Sequence, residues 1–213
     1  MRAFLTGTDT GVGKTFATAL LTRALRRAGL DTVALKPLCS GDRADAEILR
    51  AAGGGELTLD EVNPLWFSTP AAPLVAARAE CREVSIPALA SWFRKVSAGR
   101  KSVLVEGAGG WLAPVAEGAC VADLCAALAL PVLVVAANRL GCVNHTLLTI
   151  ECIRSRGLDC AGILLNTIQT SPDASAQTNR ALLEEFSDVP VLMEISPGQS
   201  DLAWGAPWGD EKT

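Results

Sequence analysis

A glycine-rich loop near the N-terminus constrains the fold of this chain more than any other feature. It reads TGTDTGVGKT over residues 6–15 and joins a short apolar segment to a helical pattern. Glycines let the backbone curl so that its N–H groups face phosphate oxygens, while Lys14 can reach the β- and γ-phosphates and the Thr15 hydroxyl can ligate Mg²⁺. The strict motif has glycine where this chain has Thr8, and Gly7 stands one position earlier. The loop predicts a phosphate site; a turn that only connects strand and helix is the alternative.

Short apolar segments alternate with longer helical patterns along the rest of the chain. Segments such as residues 132–135 are apolar on both faces, which is typical of a parallel sheet covered by helices on each side. We therefore predict an α/β fold: a single domain over residues 1–213, with a doubly wound, mostly parallel sheet of the P-loop NTPase type and an irregular tail from about residue 197. Strands are predicted at residues 2–6, 32–36, 102–106, 132–137, 161–166 and 190–193, and helices at 14–28, 45–52, 72–80, 87–98, 121–130, 145–156 and 175–186.

Charge and composition narrow the class of partner. The formal net charge of −4 gives no basic surface, so we expect neither nucleic acid nor membrane as a partner. The longest uncharged apolar run, residues 124–137, contains a proline and is shorter than the roughly 18 residues that cross a bilayer. No signal peptide is expected either, because the glycine-rich loop begins too early. The seven cysteines form no CxxC pair, which favours buried thiols in a reducing cytoplasm over a metal cluster.

Polar residues follow several of the predicted strands. In an open parallel sheet, ligands bind beyond the carboxyl ends of the strands, so these residues are expected to converge on the glycine-rich loop. They are Lys36 with Ser40 and Gly41 behind it, Glu106 with the following GAGG segment, Asn138, Asn166 and Glu194.

Two of these strand ends suggest chemistry with a nucleotide. Glu106 could hold Mg²⁺ opposite Thr15, directly or through water. Beside a triphosphate, Lys36 would be a second cation for the charge on the transferring oxygens. Asp42 and Asp45 lie near the start of a predicted helix, where they could cap the helix or one of them could ligate the metal.

Other polar and aromatic residues each have two possible interpretations. Asn144 is the predicted N-cap of the helix that follows, whose free N–H groups could bind an anion; capping alone is the alternative. His145, the only histidine, is expected to pack or cap rather than act as a base. Trp204 and Trp208 in the tail could cover a nucleotide or pack on the edge of the sheet.

Taken in order, these motifs resemble those of the dethiobiotin synthetases. The resemblance covers the chain from Ala3 to about Asn166. It implies the ATP- and Mg²⁺-dependent carboxylation and cyclisation of 7,8-diaminononanoate with CO₂, through a carbamate and a carbamic–phosphoric anhydride, to dethiobiotin, ADP and phosphate. The motifs are the TGTDTGVGKT loop, Lys36-Pro37 followed by Ser40-Gly41, Asn63-Pro64, VEGAGG at residues 105–110 and LGCVNH at residues 140–145.

The resemblance also implies a role for each site residue in a cytoplasmic homodimer. Lys14 and Lys36 would be catalytic. Mg²⁺ would be held by Thr15, Asp45 and Glu106, with Asp45 preferred to Asp42 because it opens a helix. The substrate would contact Ser40, Gly141, Cys142 and Asn144, the last three near the partner subunit and the substrate carboxylate. The nucleotide would be bound by Thr10, Gly11, Val12, Gly13, Lys14, Thr15, Phe16, Asp45, Glu106, Gly107, Ala108, Gly109, Asn166 and Thr167, with Asn166 reading the adenine.

Rival functions exist for a chain with this fold. Partitioning-type switch ATPases carry a signature lysine where this chain has Asp9. A cobyrinic acid synthetase-like ligase needs a second, glutamine-hydrolysing domain, for which we expect 213 residues to be too few. A GTPase would need Asn-Lys-x-Asp, whereas residues 138–141 read NRLG.

Overall fold

Ten strands and eight α-helices make up the computed structural model, which describes residues 1–171 and 173–202. The strands are β1 (Arg2–Gly7), β2 (Thr32–Leu35), β3 (Leu38–Ser40), β4 (Leu65–Phe67), β5 (Ser102–Gly110), β6 (Pro114–Ala116), β7 (Ala119–Cys120), β8 (Val132–Ala137), β9 (Cys160–Asn166) and β10 (Val191–Ile195). The α-helices are α1 (Lys14–Arg27), α2 (Ala44–Ala52), α3 (Leu59–Val62), α4 (Pro73–Ala79), α5 (Ile86–Val96), α6 (Val121–Leu128), α7 (Cys142–Arg154) and α8 (Asn179–Phe186). A 3₁₀ helix, Ala174–Gln177, precedes α8.

The central sheet has six strands in the order β10-β9-β8-β1-β5-β2, and every neighbouring pair is parallel. Because all six strands run in one direction, their carboxyl ends lie at one edge. Two small sheets stand beside it: β3 pairs with β4 in parallel, and β6 pairs with β7 antiparallel. The predicted doubly wound parallel sheet is confirmed.

Helices cover both faces of the central sheet. Successive side chains of a strand point to opposite faces, so an apolar strand needs a covering layer on each side. In β1, Phe4 belongs to the hydrophobic cluster that contains residues of α5, α6, α7 and α8. Its neighbours Ala3 and Leu5 belong to the cluster on the opposite face, with Leu20 and Leu21 of α1. All of these side chains are essentially inaccessible to solvent. This two-sided burial explains why the central strands are apolar without a polar face.

The start of α7 differs from the sequence prediction. The helix begins at Cys142 with Gly141 as its N-cap, so Asn144 lies in the first turn and is not the cap. Gly141 has a φ of 88°, a left-handed conformation that glycine adopts readily.

Residues 175–186, predicted as one helix, form the 3₁₀ turn and α8 with Thr178 between them. The three-residue strands β3 and β4 were not predicted.

The described end of the chain, residues 196–202, contains neither helix nor strand. Trp204 and Trp208 lie outside the described residues. Within the described part of the chain, no helix combines the length and the apolar character needed to cross a membrane.

All seven cysteines are free thiols; Cys39, Cys125, Cys142 and Cys160 are buried as predicted, whereas Cys81 is exposed and the other two are half-buried.

Candidate active site

The glycine-rich loop curls between β1 and α1 as its sequence predicts. Gly11 and Gly13 have φ values of 73° and 81°, and Gly13 caps α1 without a side-chain hydrogen bond, so N–H groups of the first turn stay available to an anion. At Gly7, a Cβ would lie 2.7 Å from the carbonyl oxygen of Asp9 and 2.9 Å from Lys14 Nζ. Thr8 takes no positive φ, and its N–H bonds to the carbonyl of Val135 at 3.0 Å. The departure from the strict motif therefore leaves the loop intact.

Lys14 is buried beneath this loop. Its Nζ donates to the carbonyl oxygen of Asp9 at 3.2 Å, and its side chain makes no ion pair in the described part of the chain. Burial, with the neighbouring charge of Lys36, lowers the pKa of Lys14 to about 8. Burial destabilises the charged form of Lys14, and a bound polyanion would stabilise that form.

Lys36, Asp45, Glu106 and Thr15 form a compact charged cluster at the same edge. Lys36 Nζ lies 2.8 Å from Asp45 Oδ2 and 2.6 Å from Glu106 Oε1, and the Thr15 hydroxyl donates to Glu106 Oε1 at 2.9 Å. Burial would lower the pKa of Lys36, but Glu106 and Asp45 together raise it above its ordinary value. For Asp45, burial acts to raise the pKa, and Lys36 outweighs it so that the pKa is lowered.

The donor set of this cluster fits a hard divalent cation. Among the residues that the structure describes, Glu106 Oε2 is buried and has no hydrogen-bond partner, which is costly for a carboxylate oxygen unless a ligand satisfies it. Mg²⁺ is usually held by one or two carboxylates together with substrate phosphates, and Thr15, Asp45 and Glu106 supply two carboxylates and a hydroxyl. The described residues contain no group of three or more histidine, cysteine or acidic side chains that could enclose a metal alone.

Asn166 closes the other side of the loop. It is 2% exposed, and its Nδ2 donates to the carbonyl of Val12 at 2.9 Å. Since the amide donor is engaged there, Oδ1 is the atom left to accept a hydrogen bond from a ligand. A cavity of about 240 Å³ opens between the loop and the ends of β8 and β9, lined by Thr10, Gly11, Val12, Ala137, Asn138, Arg139, Ile168 and Gln169.

Two cavities adjoin at Lys36. One of about 340 Å³ is lined by Thr10, Gly11, Gly13, Lys14, Thr15, Lys36, Asp45, Glu106 and Gly109. The other, of about 420 Å³, is lined by Thr10, Lys36, Cys39, Ser40, Asp45, residues 70–73, Ala108, Gly109 and Ala113. Lys36, Asp45, Thr10 and Gly109 line both. Cys39 and residues 70–73 were not predicted to belong to a site.

Several residues singled out in the sequence do not line the two cavities at Lys36. Glu194 lines neither of these cavities, and its carboxylate forms an ion pair with Arg180 at 2.9 Å. Gly141, Cys142 and Asn144 stand at the start of α7 and line neither cavity at Lys36. The expectation that His145 packs or caps is wrong: it is exposed. It lines a cavity of about 540 Å³ with Trp111 and Leu148, and this cavity shares Thr10 and Ala113 with the cavity beside Ser40.

Four further residues named in the sequence analysis make contacts of other kinds. Phe16 is half-buried on α1 and packs against the core cluster there, while the N–H of Thr167 bonds to the carbonyl of Ile195. Gly107 packs against Phe4, where an added Cβ would lie 3.0 Å from the ring. Asp42 accepts a hydrogen bond from the N–H of Ala44 and does not join the ion-pair cluster, which agrees with a capping role.

Comparison with known proteins gives concordant results. The model of an AAA domain family matches residues 1–204. A protein of Akkermansia muciniphila named ATP-dependent dethiobiotin synthetase is 45% identical over 93% of this chain and 94% of its own length. Its namesake in Anaeromyxobacter dehalogenans is 47% identical over 94% of this chain and 91% of its own length. Among solved structures, the Aquifex aeolicus MinC:MinD cell division complex aligns with a TM-score of 0.61 at 15% identity, covering 93% of this chain and 82% of that one.

Proposed function

This chain belongs to the ATP-dependent dethiobiotin synthetase family, and from that premise we propose how its own residues form dethiobiotin. The enzyme is a ligase that makes C–N bonds with ATP, a step of biotin biosynthesis. Residues 1–213 act as one domain. Such a site must transfer a phosphoryl group from ATP to a bound acceptor and exclude water as a competing acceptor.

The observation that carries this proposal is the position of Lys36 at the junction of the two cavities. The cavity beside the glycine-rich loop suits the phosphates of ATP, because Lys14 and the free N–H groups of α1 face it. The cavity beside Ser40 suits the diamine. One amine of 7,8-diaminononanoate adds to CO₂ to give a carbamate, whose oxygen then lies next to the γ-phosphate.

Lys36 and Lys14 supply positive charge where the phosphoryl group is transferred. Transfer gives a carbamic–phosphoric anhydride and ADP. The second amine then attacks the carbamate carbon, expels phosphate and closes the ureido ring. Every step is addition or displacement among substrates, so the protein needs no nucleophile of its own; it contributes position and charge.

Thr15, Asp45 and Glu106 would hold Mg²⁺. When bound, Mg²⁺ neutralises charge on phosphate oxygens. The unpartnered Glu106 Oε2 and the Thr15 hydroxyl support this assignment. Asn166 Oδ1 would accept a hydrogen bond from the adenine amino group. The proposed nucleotide-binding set is completed by Thr10, Gly11, Val12, Phe16, Gly107, Ala108, Gly109 and Thr167.

A second copy of the chain completes the site in this proposal. Leu140 and Leu148, in and beside the first turns of α7, are 81% and 61% exposed, and Leu112 nearby is 55% exposed. A homodimer that covers these side chains would bring Gly141, Cys142 and Asn144 to the partner's substrate carboxylate. We place the enzyme in the cytoplasm, where seven free thiols persist, and assign it no nucleic-acid or membrane partner, in keeping with its net charge of −4.

The decisive experiment measures phosphate release from ATP in bicarbonate, with and without 7,8-diaminononanoate, followed by mass analysis. We expect diamine-dependent phosphate release and a product that has gained one CO₂ and lost one water. Lys36→Gln should lower turnover far more than it weakens ATP binding. Phosphate release that responds to DNA or liposomes and ignores the diamine would instead favour a switch ATPase.

A further inference from the structure

The main chain of Lys36 is held outside the central sheet. The pairing of β2 with β5 ends at Leu35 opposite Val105. Beyond that point the N–H of Lys36 donates to the carbonyl of Val62 at 2.9 Å, and its carbonyl accepts from Asn63 Nδ2 at 2.8 Å. The corner after α3 therefore takes over from the sheet in fixing the backbone of this lysine.

The Asn63 side chain has no spare hydrogen-bonding capacity. It is 1% exposed. Its Nδ2 donates to the carbonyls of Lys36 and, at 3.1 Å, Leu65; its Oδ1 accepts from Arg43 Nε at 3.1 Å and from the Cys39 thiol at 3.2 Å. A side-chain amide offers two donor hydrogens and two acceptor lone pairs, so all four positions are used.

These contacts join the segments that build the ion-pair cluster. Arg43, which bonds to both the side chain and the carbonyl of Asn63, is the N-cap of α2. That helix carries Asp45, whose carboxylate lies 2.8 Å from Lys36 Nζ. Asn63 thus fixes the main chain of Lys36 at one end of this ion pair and the start of the helix that bears Asp45 at the other.

We propose that Asn63 is a positioning residue for phosphoryl transfer, which sets where the Lys36 ammonium stands between the two cavities. The inference deepens the proposed function and rests on the role given there to Lys36. Asn63 lines neither cavity at Lys36, so it acts through the lysine. A displacement of about 1 Å at a reacting group can lower the rate by about a hundredfold.

Asn63→Asp tests this with little change in shape. The new carboxylate keeps the acceptor for Arg43 but turns an oxygen toward the carbonyls of Lys36 and Leu65. We expect kcat to fall by about tenfold to a hundredfold, while the affinity for a non-hydrolysable ATP analogue changes by less than about threefold, because the glycine-rich loop does not contact Asn63. Asp60→Asn is the matched control: Asp60 pairs with Arg43 at 3.0 Å, is exposed and should leave both quantities unchanged.

A purely structural role gives different results. If Asn63 only stabilised the fold, kcat per folded molecule would stay at the wild-type value well below the melting temperature, and that result would overturn the proposal. An equal loss of kcat and of analogue affinity would overturn it too. If Asn63→Asp does not fold, Arg43→Met removes two of the bonds to Asn63 from the other side, and it should lower kcat without weakening analogue binding.

A double variant separates this inference from the assignment of Lys36. If Asn63 acts through Lys36, Asn63→Asp should cost little further turnover in a Lys36→Gln background, whereas independent effects would multiply. Multiplying effects would overturn the positioning role and leave the function standing. Wild-type turnover in Lys36→Gln alone would refute the role of Lys36 itself, and the positioning with it.

Discussion

Replacing Lys36 by methionine tests whether one ammonium balances the buried carboxylate charge at the active site. Lys36 is 3% and Glu106 1% exposed, and the ammonium lies 2.6 Å from Glu106 and 2.8 Å from Asp45. Methionine keeps much of the apolar stem, so the loss is mainly one of charge. Removing one partner of a buried ion pair costs about 3–5 kcal/mol, because the other charge is left uncompensated.

For a chain of this length, each kcal/mol shifts the melting temperature by roughly 2–4 °C, so we expect Lys36→Met to melt about 6–20 °C below the wild type in the absence of divalent cations. Mg²⁺ should reduce that deficit, because a cation held by Asp45 and Glu106 replaces the missing charge. Thermal unfolding monitored by circular dichroism, with and without Mg²⁺, measures both effects. Lys101→Met, at an exposed lysine, is the control for the change in net charge and should stay within about 0.5 kcal/mol.

The reasoning fails if Lys36→Met is as stable as Lys101→Met without Mg²⁺. It fails in a different way if the deficit is the same at every Mg²⁺ concentration, since the carboxylates would then not be the groups that Lys36 neutralises. Acidification offers an independent check. In the wild type Lys36 lowers the pKa of Asp45, so without Lys36 this carboxylate takes up a proton more readily, and the stability deficit of the variant should shrink as the pH falls.

Three further variants test the loop and its neighbours. Thr15→Ala removes the hydroxyl that bonds to Glu106, so the Mg²⁺ concentration for half-maximal phosphate release should rise about tenfold, a factor worth about 1.4 kcal/mol; an unchanged requirement would contradict a metal-binding role. Because burial and Lys36 lower the pKa of Lys14 to about 8, free Lys14 loses its proton as the pH rises through 8, and ATP should restore it. Calorimetry in two buffers should then show uptake of about half a proton at pH 8 and almost none at pH 6, with no uptake in Lys14→Arg. Gly13→Ala places a Cβ against Asn166 Nδ2 at a φ of 81°, and urea unfolding should show a loss of about 1–3 kcal/mol; wild-type stability would mean the loop is shaped differently.

The fold could be predicted from the sequence because its signals are local. The glycines of the loop and the alternation of apolar strands with helices reflect backbone freedom and two-sided burial, which each segment shows by itself. The meeting of Lys36 with Glu106 followed from topology, since parallel strands end at one edge. The roles of the individual site residues stay predictions.

Features that depend on competing local preferences or distant contacts could not be predicted. Asn144 is a favoured N-cap residue, but Gly141 reaches a left-handed conformation three positions earlier and begins α7 there. Glu194 lies next to the end of β10, where its carboxylate forms an ion pair with Arg180 on α8. Asn63 belongs to a recognised motif, but its contacts with Lys36, Arg43 and Cys39 arise only when the loops fold together.

The segment after β2 joins the two cavities at Lys36. The aligned MinC:MinD structure shows that the sheet framework serves proteins of very different sequence, so the sheet alone does not select a ligase. A ligase must hold its phosphoryl acceptor beside the phosphate site. Here eight residues separate Lys36 from Asp45. This short connection forms β3 and places Ser40 on the wall of the 420 Å³ cavity. It also directs α2 so that Asp45 contacts Lys36. Lys36 and Asp45 line the 340 Å³ cavity as well, so the two cavities share a boundary of charged side chains. Lengthening this connection with glycines should therefore move Ser40 and Asp45 away from Lys36. We expect diamine-dependent turnover to fall while the glycine-rich loop still binds ATP.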